Sequence, residues 1–405
     1  MGTLLAKPLV SVTGGSLEKL LLAFGTGADS LPAAVERIRP AVITLYDISA
    51  GQRSLLARTA PAEGGDVLFP AVEVALGANL PQSILVGSRA WIGSLAARLA
   101  ESGEEGAGEL SAALDCIINR QTQLEWKLAG GCSLDLTSGA RIMGVLNLTT
   151  DSFYGGSRVP TIKEAVRRAE EMLDQGADII DVGGESTRPG AMPVGEEEEA
   201  ERVVPVVREL ALSHPEMIIS VDTYKASVAR AAVAAGARII NDIGAGLLDE
   251  RMFETVSTLG AGYVMMHMRG VPRSMQQDTE YDDLLAEIYR FFAGRLEQAR
   301  KMGIDPARIV IDPGIGFGKP AAGNFEIISR LSEFAPLGRP VMVGPSRKSF
   351  LSLAGLASPE DRLEGTLAAC TVAVQAGAHV LRVHDVGSVK KNIAAAARFA
   401  GIPAS

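Results

Sequence analysis

The chain has 405 residues, room for a barrel domain of about 250 residues and a second domain of about 130. Its 47% hydrophobic and 21% charged residues, with 44 glycines and few aromatics, describe a globular α/β protein and exclude disorder as a main theme. A formal net charge of −9 argues against a nucleic-acid partner, while leaving room for a local basic pocket that takes an anionic small molecule.

Residues 1–130 read as a small N-terminal α/β domain. Alanine-rich helical runs such as SLEKLLLAFG and SLAARLAESGEEGAGELSAAL surround short apolar stretches at Ala41–Tyr46 and Ser83–Val86. Gly103 to Gly108 reads as a solvated turn, and Ser88, Arg89 and Trp91 form only a weak motif. Cys116, Cys132 and Cys370 are isolated, without metal-ligand spacing, as free thiols in a reducing compartment would be. The first residues lack the apolar run of a signal peptide, and no stretch approaches a membrane span, so a cytoplasmic location with no membrane partner is expected.

The texture changes near Leu134. LDLTSGARIMG reads as a β-hairpin suited to closing the bottom of a barrel, and residues 134–405 as the barrel itself. Eight short apolar runs follow: Ile142–Leu148, Asp178–Val182, Met217–Val221, Arg238–Asp242, Gly262–Met266, Arg308–Ile311, Pro340–Val343 and His379–Val383. Between them, apolar residues recur at spacings of three and four, as in Ala165, Ala169, Met172 and Leu173. Eight βα units predict a TIM (β/α)8 barrel, whose chemistry gathers in the loops after the strands. A chain cut just before Cys132 is expected to keep that chemistry.

Those strand ends are polar. The first supplies Asn147 and the second Thr187, Arg188 and Pro189; the third and fourth supply Asp222 and Asn241. Asp312 follows strand six, Ser346 to Ser349 strand seven, and Arg382 and His384 flank the end of strand eight. Asp222, Asn241 and Asp312, buried together, suit a flat nitrogen-rich heterocycle, because unpaired buried polar groups are costly. Arg188, Arg382 and His384 suit phosphate or pyrophosphate. Asn147 suits a hydrated Mg²⁺ that takes few protein ligands.

The series NLTTDSF, DIIDVGGESTRPGA, SVDTYK, INDI, MMHMRG, IDPGIGFGK, GPSRKSF and RVHD resembles dihydropteroate synthase, over about Leu134 to Gly401. The resemblance implies a Mg²⁺-assisted transferase of folate synthesis that takes 6-hydroxymethyl-7,8-dihydropterin diphosphate and 4-aminobenzoate to 7,8-dihydropteroate and pyrophosphate, and that commonly forms homodimers. It implies a pterin pocket of Asp222, Asn241, Met266, Asp312, Phe317 and Lys348. Pyrophosphate would fall to Asn147, Arg188, Arg382 and His384, with Asn147 also the metal ligand. Aminobenzoate would meet Phe153, Thr187, Pro189 and Ser349. Asp222, Asp312, Lys348 and Arg382 would carry the chemistry, and Arg382→Ala is expected to spare the fold. Thr150 and Pro345 depart from the family's usual residues, and the N-terminal domain is an addition to it.

Plainer readings cover the rest. Glu196–Glu199 suit a solvated helix start. Asp181 and Glu185 suit hydrogen bonds shaping the second loop, His214 and His379 structural roles, and Arg269 a solvated loop; His267 stands between ligand contact and structural group. Two other functions fit less well: a methyltransferase using a pterin, which would have no pyrophosphate to expel, and a pterin-binding scaffold.

Overall fold

The computed structural model describes residues 28–30, 35, 40–61, 65–69, 83–119, 122–148, 161–186, 191–356 and 361–399. The chain divides into two compact units, Met1–Arg120 and Gln121–Ser405.

In the first unit, β1 (Pro40–Leu45), β2 (Asp66–Leu68) and β3 (Ser83–Ser88) form an antiparallel sheet in the order β1-β3-β2. Alternation along β1 buries Ile43 and Leu45 and exposes Val42. The helix Ala50–Thr59 starts on a reciprocal cap between Ser49 and Gln52. Ser88 caps the helix Arg89–Ser102 by accepting from the Trp91 amide, and that helix ends on left-handed Gly103. VGSRAWIG is therefore a helix start. Its Trp91 joins Leu55, Leu56, Leu85, Ile92, Leu95, Leu99 and Leu114 in the core of this unit.

The second unit is the expected barrel. Its strands are β6 (Arg141–Asn147), β7 (Ile179–Gly183), β8 (Ile218–Asp222), β9 (Ile239–Asp242), β10 (Gly262–Met266), β11 (Ile309–Asp312), β12 (Met342–Val343) and β13 (Val380–Val383). Parallel pairing runs from β6 through β11 and from β6 through β13 to β12. A parallel bridge between Ile311 and Val341 closes the ring.

Side-chain alternation sorts these strands into two sets. Ile142, Ile180, Ile219, Ile240, Tyr263, Ile311 and Leu381 face outward into the large cluster shared with the surrounding helices. Met143, Ile179, Ile239, Val264, Val310, Met342 and Val380 face inward and share one cluster near the strand starts. Further along the same inward face stand Asn147, Asp181, Asp222, Asn241, Asp312 and Arg382, while β10 carries the apolar Met266 there.

A hairpin seals the bottom, but it is not the one expected. β5 (Ser133–Asp135) pairs antiparallel with β4 (Glu125–Lys127), not with the run entering β6, because Gly130 and Gly131 at positive φ turn the chain earlier. Trp126 and Leu128 from this hairpin pack under Met143, Ile179, Ile239 and Val264. Trp126 Nε1 donates to the Arg308 carbonyl at 2.8 Å. A Cβ on Gly262 would fall 2.7 Å from Leu128 Cδ2, so a side chain there would displace Leu128 from this floor. The barrel unit thus includes residues before Cys132, and a chain cut there would lose Trp126 and Leu128.

Trp126→Ala should remove the floor without touching the strand ends. Its expected destabilisation is about 3–5 kcal/mol in denaturant unfolding, as for large buried aromatics. An unchanged unfolding midpoint would show that the hairpin is not part of the barrel core.

Candidate active site

The inward set at the strand ends converges. From β7, Asp181 is fully buried; its Oδ2 accepts from Arg382 Nε of β13 at 2.6 Å and from Asn241 Nδ2 of β9 at 3.0 Å. Arg382 Nη2 donates in turn to Asp222 Oδ2 of β8 at 2.6 Å. Asn147 ends β6 next to them: a Cβ on Gly183 would lie 3.4 Å from Asn147 Oδ1 and 3.6 Å from Asp222 Oδ2. Asp312 ends β11, where its Oδ1 accepts from the Gly314 amide at 2.7 Å.

Lys348, after β12, reaches back so that its ammonium donates to the Ile315 carbonyl and stands 4.6 Å from the centre of the Phe317 ring. Glycine at 316, with φ 81°, leaves room for its stem. Phe317 and Met266 belong to an apolar patch with Ile243, Met268 and Met275. The hole therefore has an apolar flank beside a carboxylate- and amide-lined wall.

Low dielectric tunes these groups. Burial pushes the Asp222 carboxyl up to about 7, against the opposing pull of Arg382. Burial also raises Asp312, against Lys348, and lowers the Lys348 ammonium to about 8. Burial works against the Arg382 charge too, but Asp181 and Asp222 more than compensate and hold it cationic. The pocket can thus accept hydrogen bonds, exchange a proton near neutral pH and present positive charge within a few ångströms.

At the rim, the His384 backbone amide and Nδ1 both lie within hydrogen-bond reach of Ser346 Oγ, at 3.2 and 3.0 Å. Arg347, with φ 54°, forks onto Asp385 with two contacts of 2.7 Å. Ser349 is exposed at the start of the short helix Ser349–Ala354. Phe153, Thr187, Arg188 and Pro189 lie outside the described residues, as do Thr149 to Ser152.

The structure corrects several plainer readings. Asp181 does not shape the second loop; it lies inside the barrel between Asn241 and Arg382. Arg382 reaches inside the barrel, and Arg382→Ala is expected to destabilise the fold and not to spare it: it would leave Asp181 and Asp222 buried without their cation, a loss of about 3–5 kcal/mol. Glu199 is not solvated. It is buried against Lys225, whose ammonium also meets Glu185, and Tyr224 Oη donates to Glu185 at 3.0 Å. Arg269 is held by Glu287 at 3.0 Å and lies 4.0 Å from the centre of the Tyr281 ring.

His267 is buried in a structural setting, edge-on to Phe291 at 4.8 Å. The buried Lys319 ammonium meets His267 Nδ1 at 2.9 Å and donates to the His267 and Phe317 carbonyls. Gly314 is obligatory beside it, since a Cβ there would fall 2.0 Å from the His267 carbonyl oxygen. His214 meets Glu170 at 3.1 Å, and His379 Nδ1 accepts from the Val341 amide. Counting by twos from Ile179 would have placed Asp181 inside; a buried Lys319 or Glu199 carries no such pattern, because each comes from outside a strand.

With this geometry in view, the comparisons are specific. The model of the pterin binding enzymes matches residues 143–384. Dihydropteroate synthase of Escherichia coli strain K12 is 44% identical over 258 residues, 64% of this chain and 90% of that protein. The solved structure of Xanthomonas albilineans dihydropteroate synthase with 4-aminobenzoic acid superposes with a TM-score of 0.64 at 41% identity, over 70% of this chain and 100% of that one. The same enzyme in complex with 7,8-dihydropteroate gives 0.60 at 37% identity, over 69% and 100%. The chain belongs to the pterin binding enzyme family, and the relatives named above are dihydropteroate synthases.

Lys225→Met would leave Glu199 buried and unpaired. The expected loss is about 3–5 kcal/mol in urea unfolding at pH 7. A variant as stable as the parent would mean that the Lys225 network contributes nothing net.

Proposed function

We propose that the barrel joins 4-aminobenzoate to 6-hydroxymethyl-7,8-dihydropterin diphosphate, forming 7,8-dihydropteroate and pyrophosphate in folate synthesis. The observation that carries this reading is the convergence of Asp222, Asn241 and Asp312 on one hole beside Lys348 and Arg382. A pterin edge bears amino and N–H donors, and this wall is rich in acceptors.

The reaction breaks the C–O bond between the pterin's exocyclic methylene carbon and the diphosphate, and the bonding pair leaves with the oxygen. Arg188, Arg382 and His384 are assigned to the departing pyrophosphate. Asp222 and Asp312 are assigned to the positive charge left on the ring, stabilised by groups already in place. The arylamine nitrogen then forms the new C–N bond and loses a proton to solvent or to the pyrophosphate. Phe153, Thr187, Pro189 and Ser349 are assigned to the aminobenzoate.

Asn147 offers a carbonyl oxygen, the kind of donor Mg²⁺ takes. Among the described residues no group of three or more His, Cys, Asp or Glu could hold a metal, so phosphate oxygens and water would complete the shell. Bound there, the ion would neutralise charge on the pyrophosphate.

No helix among the described residues is long and apolar enough to cross a membrane. A cytoplasmic homodimer is part of this reading, with Phe325, Leu353 and Val372 exposed on helical segments of the barrel unit as the apolar surface available for pairing.

The test is pyrophosphate release with both substrates and Mg²⁺. Release that needs all three, matched by dihydropteroate, is expected; release without the arylamine, or none from folded protein, would contradict the proposal. Asp222→Asn should lower kcat/KM by at least about a hundredfold, the scale for losing one preorganised charge partner.

A further inference from the structure

The two carboxylates that hold Arg382 do different work. Asp222 meets the outer Nη2, whereas Asp181 takes Nε, and the same Asp181 oxygen also takes the Asn241 amide. Asp181 is fully buried, and its Oδ1 has no hydrogen-bond partner among the described residues.

Paired with a guanidinium, the Asp181 carboxylate can only accept. Asn241 must then turn its NH₂ toward β7, which leaves its carbonyl oxygen on the other side. An asparagine free of such a partner reads either polarity after a half-turn of its amide. Asp181 removes that choice. Through Nε it also fixes the plane of the Arg382 guanidinium, so that Nη2 meets Asp222 and not another acceptor.

We propose that Asp181 is a positioning residue of the pterin site: its Oδ2 locks Asn241 with the carbonyl facing the ligand and holds Arg382 against Asp222, so the wall reads a donor edge. This deepens, and rests on, the pterin reading above. Asp181 touches no substrate in this account; it acts through Asn241 and Arg382.

The charges facing Asp222 include Arg382 from β13, Asp181 from β7, Asp242 from β9, Glu199 from the helix after β7 and Lys348 from the segment after β12. Burial comes first among the influences that raise Asp222, and the Asp181 charge adds to it. Neutralising Asp181 therefore lets Asp222 ionise at lower pH.

The experiment is calorimetry on the full chain with 6-hydroxymethylpterin and with its 2-oxo analogue, 6-hydroxymethyllumazine, across pH 5 to 8. Asp181→Asn should shrink the preference for the pterin by about tenfold or more, the scale of a misdirected buried hydrogen bond. The acid midpoint of pterin affinity should also move below that of the parent. A folded variant that keeps both preference and midpoint overturns the proposal while leaving the pterin reading intact. A parent protein that binds neither ring overturns both.

Asn241→Ala gives an independent result if Asp181→Asn does not fold, because it leaves Asp181 and Arg382 paired. It should weaken the pterin more than the lumazine. Equal losses, or the reverse order, would mean that the amide carbonyl does not face the ligand's donors, and the proposal would fail.

Discussion

A strand in a closed barrel has only two faces, and each residue is assigned to one by counting in twos. That constraint does much of the work here. The parity that places Met143, Ile179, Ile239, Val310 and Val380 on the floor places Asn147, Asp181, Asn241, Asp312 and Arg382 above it. A one-residue slip in β7, β8, β11 or β13 would exchange a charge for an aliphatic side chain and put the charge among the helices. Apolar packing of the outer face therefore fixes which polar groups can meet.

Once assembled, the polar set has to satisfy itself, since water is largely excluded. Arg382 is central to this. It is one cation between Asp181 and Asp222, and each carboxylate draws on it. Its incomplete compensation of Asp222 leaves that carboxyl near neutrality in its titration, at about 7, and similar burial leaves Lys348 at about 8. A pocket balanced in this way is poorly matched to its own charges and well matched to a ligand that brings donors and an anionic leaving group. The floor hairpin, with Trp126 packed against the strand starts, closes the opposite end of the barrel.

Much of this was legible in the residues. Strand positions could be read to within a residue or two because strands buried on both faces are short and continuously apolar, and the polar residues after them stood out against that background. What could not be read came from three sources. The floor hairpin depends on Gly130 and Gly131, whose turn precedes the change in texture near Leu134. Asp181 sits within the apolar run Asp178–Val182, where its hydrogen bonds read as shaping the second loop, although its parity with Ile179 points inward. Glu199 and Lys319 reach their sites from a helix and a loop, where burial of one charged residue among exposed neighbours leaves no periodic signal.

In the proposed pterin reading, Asp222 exchanges a proton near neutral pH and meets the pterin's donor edge in its ionised form. The direct measurement is the heat of 6-hydroxymethylpterin binding at pH 6 in buffers of different ionisation enthalpy. With a carboxyl at about 7, binding should release close to one proton per site at pH 6, and about none in Asp222→Asn. Binding at pH 6 with no dependence on buffer would contradict the account.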